Sequence, residues 1–177
     1  MQIINLTDLK YIIMKTKTIF IALSILFFLS ASTIYAQKAD LSGEWKLNKE
    51  KTVLADNQIF LTGITIQLKS DSLLTTRVYE NGNGEQYPFD ENLSLDGKDC
   101  KIYVYDMPRT TKVSRSNSDG SILFESSTIF QGYNGSDTLS AKETFRIDNE
   151  GKILTMNFTN KSSAGEITGT NYYDKVK

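Results

Sequence analysis

The sequence predicts an all-β protein, folded as an antiparallel up-and-down β-barrel of about 8 to 10 strands. Segments of alternating apolar and polar residues recur with turn residues between them, and after residue 60 no helical period holds for ten residues. Every connection after residue 69 is short. A two-sheet sandwich is the alternative, but sandwiches usually need crossover connections, and closure into a barrel also removes the edge strands.

Ten candidate strands account for this pattern, and only two prolines interrupt them. They are predicted near residues 41–48, 62–69, 73–80, 85–95, 100–106, 109–117, 121–130, 139–147, 152–160 and 166–176. A sheet of this kind is apolar on one face, and the sequence offers no helices to cover that face. Closure of the sheet on itself is therefore the simplest way to bury it.

The turns between these strands predict which residues face each other, because a hairpin turn fixes the register and facing residues point to the same side. Centring each hairpin on its turn gives one apolar face that continues from the third strand to the ninth. The predicted pairs are Val78–Tyr87, Thr76–Phe89, Leu95–Cys100, Val104–Thr111, Val113–Phe124, Phe130–Leu139, Phe145–Leu154 and Ala141–Phe158. At "SDS", residues 70–72, the register slips by one, and Leu68 is predicted to face Leu74 across a three-residue loop with a bulge. For the last strand both faces stay open, since Ile167 and Tyr173 lie on one and Tyr172 and Val176 on the other.

Residues 1–36 are predicted to be an upstream extension followed by a signal peptide. From Met14 the chain reads as a basic start "MKTKT", an apolar run "IFIALSILFFLS" and a small-residue end "ASTIYA", so cleavage is expected after Ala36. The apolar run is too short to span a bilayer, which needs about 20 residues. We therefore expect residues 37–177 to form one barrel domain without a transmembrane anchor, exported to the periplasm or the exterior.

Composition narrows the range of functions. Residues 37–177 contain 17 basic and 20 acidic residues without a long run of either sign, which argues against a nucleic-acid partner. The chain has no histidine, the commonest metal ligand and general base, so we expect neither a metal nor another cofactor. Cys100 is the only cysteine, so no intramolecular disulfide forms and a buried apolar role is expected for it. The oligomeric state is left open.

The first predicted strand contains a distinctive motif, "LSGEWKLNKEKT" at residues 41–52. Its inward-facing residues are Leu41, Gly43, Trp45 and Leu47. A closed barrel needs a large side chain at one end, and the indole of Trp45, the only tryptophan, supplies more apolar area than any other side chain. Trp45 is thus predicted to plug the barrel beside Gly43, where the missing side chain allows a close approach.

Gly43-x-Trp45 resembles the G-x-W signature of lipocalins and related calycin-type barrels. The opening is also similar to the "W-x-L-N-x-x-K-S" pattern of lipocalin-like proteins that bacteria export, with Thr52 at the last position. The resemblance implies an up-and-down barrel that binds a small molecule in its interior. It also implies an arginine packed over the tryptophan, for which Arg115 is the best match by position although it is not on the last strand.

The candidate ligand site lies at the end of the barrel with the long loops, near residues 49–60, 81–84, 107–108 and 131–138. Inward-facing residues toward this end are expected to line a pocket. They are Tyr87, Phe89, Glu91, Val104, Phe130, Glu143 and Phe158. Glu91, Glu143 and Arg115 are charges on the inner face, so each is expected to be paired, wetted or turned outward by a bulge.

These residues favour an exported binding protein that holds a small apolar or amphipathic ligand. An alternative is a cell-envelope barrel with a filled core, whose outer surface or loops interact with other proteins. A third hypothesis is a hydrolase in which Glu91 and Glu143 act as acid and base, but no other residue supports it. We therefore do not expect an enzyme.

Overall fold

The computed structural model describes residues 40–53, 59–132, 135–148 and 150–176, within one compact unit, Lys38–Lys177. The predicted extension and signal peptide lie outside these residues. The described chain forms ten strands: β1 (Gly43–Leu47), β2 (Phe60–Leu68), β3 (Ser72–Glu80), β4 (Gln86–Ser94), β5 (Cys100–Val104), β6 (Met107–Arg115), β7 (Ile122–Gly132), β8 (Gly135–Ile147), β9 (Ile153–Ser162) and β10 (Gly165–Lys175).

The strands form one antiparallel sheet that curls into a nearly closed barrel. Their order is β4-β3-β2-β1-β10-β9-β8-β7-β6-β5, so all sequence neighbours except β4 and β5 pair in the sheet, and β1 pairs with β10. The described residues contain no helix. The predicted all-β, up-and-down barrel is therefore confirmed. We call the end where β1 and β3 finish the mouth, and the end where β2 and β4 finish the base.

The predicted register is confirmed at the β6–β7 hairpin, where Val113 pairs with Phe124. Two later hairpins are offset by two residues, so that Phe130 pairs with Asp137 and Phe145 with Met156. A shift of two residues leaves every side chain on its predicted face, because strand side chains alternate with period two. The inner face of β6 to β9 is thus as the sequence predicted.

The β5–β6 turn was predicted at Met107–Pro108 and lies two residues earlier. Tyr105 and Asp106 both have positive φ angles, 49° and 65°, and Val104 pairs with Met107 around them. Two consecutive left-handed residues are the geometry of a type I′ hairpin turn. The proline, a turn residue by propensity, instead lies inside β6.

The β3–β4 register is where the prediction is wrong by one residue. Asn81 Oδ1 accepts hydrogen bonds from the backbone N–H of Asn83 at 2.9 Å and of Glu85 at 3.0 Å, which enlarges the turn. Tyr79 therefore pairs with Tyr87, and Arg77 with Phe89. The inner face of β3 carries Thr75, Arg77 and Tyr79 and not the predicted Thr76 and Val78. The β2–β3 pair Leu68–Leu74 is wrong in the same sense, since Leu68 pairs with Leu73.

The predicted Leu95–Cys100 hairpin is also wrong. β4 and β5 follow each other in the chain but are the two edges of the sheet, and no ladder joins them. We call this gap in the barrel wall the β4–β5 seam.

The opening motif builds the base of the barrel. Trp45 is fully buried, and its Nε1 donates a hydrogen bond to Leu41 O at 3.0 Å. A Cβ on Gly43 would lie 2.8 Å from Lys175 Cε, so glycine leaves the space through which Lys175 brings its Nζ to 5.2 Å from the Trp45 ring centroid. The cation described over the tryptophan is thus Lys175 of the last strand. Arg115 lies on the inner face of β6 near Asp40, whose pKa is lowered mainly by hydrogen bonds from Ser42 and also by Lys175 and Arg115.

Candidate functional site

A packed apolar core fills the lower interior and continues along β1 and β2 to Leu47 and Leu61, near the mouth. Its members, almost all fully buried, are Leu41, Trp45, Leu47, Leu61, Ile64, Ile66, Leu73, Leu93, Val113, Ile122, Phe124, Phe145, Leu154, Met156 and Tyr173. The Tyr173 hydroxyl donates to Leu61 O at 3.2 Å, and burial raises its pKa. The buried hydroxyl is therefore hydrogen-bonded to a main-chain oxygen, and the core leaves no polar group of this side chain for a ligand to bind.

A layer of four charged side chains lies directly on this core. Arg77, fully buried, has its guanidinium carbon 4.6 Å from the Phe124 ring centroid, and Phe124 packs edge-on against Phe145. Arg77 Nη1 donates to Glu143 Oε2 at 2.7 Å and to the Tyr79 hydroxyl at 3.3 Å. The arginine therefore marks the boundary between the apolar core and a polar upper interior.

Glu91 joins this arginine to a second one. Its Oε2 lies 3.2 Å from Arg77 Nε, and its Oε1 accepts hydrogen bonds from Arg109 Nε at 3.0 Å and from the Thr111 hydroxyl at 2.8 Å. Arg109 Nη1 also donates to the Thr128 hydroxyl at 3.1 Å. Two arginines and two glutamates thus form one buried, charge-balanced network across the barrel.

The network fixes the protonation of Arg77 and Glu91. Burial alone lowers the pKa of Arg77, but Glu143, Tyr79 and Glu91 outweigh it and the pKa is raised. For Glu91 burial raises the pKa, and the charges of Arg77 and Arg109 reverse the effect, so that the pKa lies below its ordinary value. Both groups are charged at neutral pH, which is the condition for burying such pairs.

Several atoms of the layer remain without hydrogen bonds in the described structure. The fully buried ones are Thr75 Oγ1, Arg77 Nε and Nη2, and Glu91 Oε2, but Arg77 Nε and Glu91 Oε2 lie 3.2 Å apart as an ion pair, which leaves Thr75 Oγ1 and Arg77 Nη2. Thr75 and Glu91 are register partners on β3 and β4, so the Thr75 hydroxyl belongs to the same cluster. Because buried polar groups are nearly always hydrogen-bonded, the cluster is suited to bind a polar group or a water molecule.

Aromatic side chains lie between this layer and the mouth. Tyr79 and Phe89 stack with ring centroids 5.8 Å apart, and Arg109 lies over Phe89 at 5.6 Å. Phe158 packs onto Gly169, where a Cβ would lie only 2.7 Å from its ring. Phe89, Phe130 and Phe158 are only half-buried. They present apolar surface at the upper interior, above a charged floor.

The predicted ligand-lining residues all lie on the inner face. Phe89, Glu91 and Val104 lie on the two strands that flank the seam, while Phe130, Glu143 and Phe158 lie on the opposite wall. Tyr87 lies nearest the mouth, where its hydroxyl donates to Glu85 Oε2 at 2.9 Å and its ring meets Tyr105 edge-on. Glu91 and Glu143 are joined through Arg77, and no bulge interrupts the β3–β4 register. Whether these side chains bind a ligand stays a prediction.

Sequence reasoning missed the two arginines that organise the site. The predicted pairs Val78–Tyr87 and Thr76–Phe89 place Arg77 on the outer face, because they make the β3–β4 turn one residue too short. Arg109 shares the parity of Thr111 and Val113 and was therefore detectable as an inward charge. Asparagine at the first position of "NGNGE", where its side chain can accept turn N–H groups, was the signal for the longer turn.

The carboxylates suit an ion-pair network better than acid–base chemistry. Glu91 has no exposed side-chain surface and two cationic partners. A general acid needs the opposite, a carboxyl with a raised pKa that can reach a substrate. Hydrolysis through Glu91 and Glu143 remains a prediction that the geometry does not favour.

A groove of about 460 Å³ lies on the outer wall across β6 to β10. Two ion pairs lie along it, Lys112 with Asp99 and Lys142 with Glu125, both at 3.4 Å. Exposed cross-strand pairs of this kind are common on strand surfaces and contribute little, so the groove is a weaker candidate than the interior.

No protein-family model matches the chain, and no curated protein matches its sequence. Among the described residues, no group of three or more His, Cys, Asp or Glu side chains is placed to hold a metal ion. No helix in the described part of the chain is long and apolar enough to cross a membrane. The fold is consistent with a calycin-like barrel.

Proposed function

We propose that this chain is an exported, lipocalin-like binding protein whose upper interior holds a small amphipathic molecule. The observation that carries the proposal is the pairing of half-exposed aromatic side chains with a buried charged layer beneath them. The apolar part of the ligand packs against Phe89, Phe130 and Phe158. Its polar group points down toward the charged layer, where unused hydrogen-bonding atoms remain.

Two further hydrogen-bonding atoms of the charged layer belong to side chains that are not wholly buried. Arg109 uses Nε and Nη1 in its hydrogen bonds, and Glu143 uses Oε2, which leaves Arg109 Nη2 as a donor and Glu143 Oε1 as an acceptor. About 9% of the Arg109 side chain and 8% of the Glu143 side chain is exposed. A ligand with a polar head that both donates and accepts hydrogen bonds fits this floor.

A second candidate function is protein interaction through the outer wall, because an apolar row crosses it. Tyr103 on β5 is 77% exposed and pairs with Pro108 on β6. Ile129, on the adjacent strand β7, is 45% exposed. The filled lower interior is also compatible with this alternative. The two functions place the important residues on opposite faces of the same strands.

Titration with the fluorescent amphipath 1-anilinonaphthalene-8-sulfonate separates them. Phe130 faces the interior and its neighbour Ile129 faces outward, so the two alanine variants form a matched pair on β7. Binding to the upper interior predicts one saturable site per chain, weakened about tenfold by Phe130→Ala, the effect of losing about 1.4 kcal/mol of contact. Ile129→Ala should change the affinity by less than about twofold.

Two results contradict the proposal. One is a lack of saturable binding to the folded protein. The other is a larger loss of affinity in Ile129→Ala than in Phe130→Ala, which would place the probe on the outer wall.

A further inference from the structure

The β4–β5 seam is closed by side chains in place of a backbone ladder. Every other neighbouring pair of strands is joined by a ladder, which for β3 and β4 covers Ser72 to Glu80. Across the seam, the Tyr105 hydroxyl donates to Pro88 O at 2.7 Å, and Cys100 Sγ donates to Asn92 O at 3.4 Å. At the base end one isolated bridge pairs Asp96 with Ser114.

The charged layer crosses the same seam on the inside. Glu91 on β4 accepts from Arg109 and Thr111 on β6, so these bonds pass behind the short strand β5. Pro88 has no N–H to offer to a neighbouring strand, which is one reason why a ladder does not form here. The barrel is therefore closed at this point by a latch of side-chain bonds.

Opening this latch breaks side-chain bonds, those of Glu91 among them, but no backbone ladder, whereas opening any other part of the wall breaks a ladder. The opening leads directly to the proposed site, since Phe89 and Glu91 lie on one edge and Val104 on the other. We infer that the β4–β5 seam opens transiently and is the entrance through which an amphipathic ligand reaches the upper interior. The ligand in this inference rests on the proposed function, but the opening itself can be measured without one.

Cys100 is a natural reporter of the opening. Its half-buried thiol lies in the seam, and burial, together with the charge of Glu91, raises its pKa. Tyr105→Phe removes the hydroxyl that holds Pro88 and changes neither the burial of the thiol in the closed seam nor Glu91. Tyr103→Phe, two residues earlier, is the matched control because the Tyr103 hydroxyl makes no hydrogen bond within the described residues and its ring is more exposed.

The first measurement is the rate at which iodoacetamide alkylates Cys100 in the full chain at one fixed pH. Tyr105→Phe should react about fivefold faster than wild type, the change in open population expected from the loss of one ordinary hydrogen bond. Tyr103→Phe should react at the wild-type rate. Equal rates in all three proteins, or an equal rise in both variants, would overturn the inference.

The second measurement is stopped-flow binding of 1-anilinonaphthalene-8-sulfonate. If the seam is the entrance, Tyr105→Phe raises the association and dissociation rates by the same factor and leaves the Kd within about twofold, because only the route changes. Faster alkylation with unchanged probe rates overturns the seam as an entrance. If the probe does not bind wild type at all, the proposed function fails, whereas the alkylation rates still decide whether the seam opens.

Discussion

The lower and upper halves of the barrel interior are built from the same strands and differ in what they bury. The lower half is apolar, and the polar groups of Trp45 and Tyr173, the indole N–H and the hydroxyl, donate hydrogen bonds to main-chain oxygens. The upper half buries Arg77 and Glu91 and leaves Phe89 half-exposed. Burying charges in place of well-packed apolar side chains does not generally make a barrel more stable. Under the proposed function, the base maintains the fold and the upper half holds the ligand.

The largest effect is expected at the base. Trp45→Ala removes a fully buried indole and should lower the free energy of unfolding by about 3 to 5 kcal/mol, the usual cost of deleting a large core side chain. Urea denaturation measures this loss. A change below about 1 kcal/mol, typical of surface positions, would mean that the tryptophan is not the plug of the barrel.

An effect of similar size is expected at the boundary, for a different reason. Arg77→Met leaves Glu91 and Glu143 buried without their shared cation, which should cost about 3 to 5 kcal/mol. Arg146→Met is the control, because its ion pair with Asp119 is exposed and should contribute less than about 1 kcal/mol.

Joint replacement of the network distinguishes stability from function. Changing Arg77, Arg109, Glu91 and Glu143 together to apolar residues of similar size should recover most of the stability that Arg77→Met loses, since no charge is left unpaired. Probe binding should not recover. Recovery of binding would mean that the charged layer does not take part in the site.

A smaller effect concerns acid stability. The folded-state pKa of Glu91 lies below its ordinary value of 4.5, so its ion pairs stabilise the fold above that pH and are lost as the pH falls through the folded pKa. The difference in stability between wild type and Glu91→Gln should therefore narrow below about pH 4.5. A difference that stays constant from pH 7 to pH 3 would show that folding does not lower the pKa of Glu91.

The smallest effect on stability is expected at Gly169→Ala. The added Cβ would lie 2.7 Å from Phe158 Cζ, well inside the normal carbon–carbon contact of about 3.5 to 4.0 Å, so the half-buried ring must move. Because the ring is only half-buried and can turn, stability should fall by less than about 1 kcal/mol. Probe affinity should change more than stability does. An unaltered affinity would place Phe158 outside the site.

The same division explains what the sequence could predict. The barrel and the inner face of β6 to β9 follow from alternation, and alternation tolerates turns that are misplaced by two residues. The buried Trp45 follows from parity in the same way. These features depend on local pattern alone.

The charged layer depends on details that alternation does not contain. Arg77 moves to the inner face because Asn81 enlarges one turn by a single residue, and its partners come from β4 and β8. The seam likewise depends on how the curled sheet ends, since "DGKD" at residues 96–99 reads as an ordinary hairpin turn. Both the charged layer and the seam depend on contacts between residues far apart in the sequence, so the alternation of apolar and polar residues along the chain does not reveal them.

One pair of variants tests the division between core and site most directly. Phe89→Glu and Phe124→Glu make the same chemical change in the upper and the lower interior, and both are measured by urea denaturation and by titration with 1-anilinonaphthalene-8-sulfonate. Phe89 is half-exposed beside Arg109, so its variant should stay folded, lose less than about 1.5 kcal/mol and fail to bind the probe. Phe124 is 1% exposed, so its variant buries an unpaired charge and should unfold or lose more than about 4 kcal/mol. If both variants unfold, or if Phe89→Glu binds the probe as wild type does, the upper interior is not a ligand site.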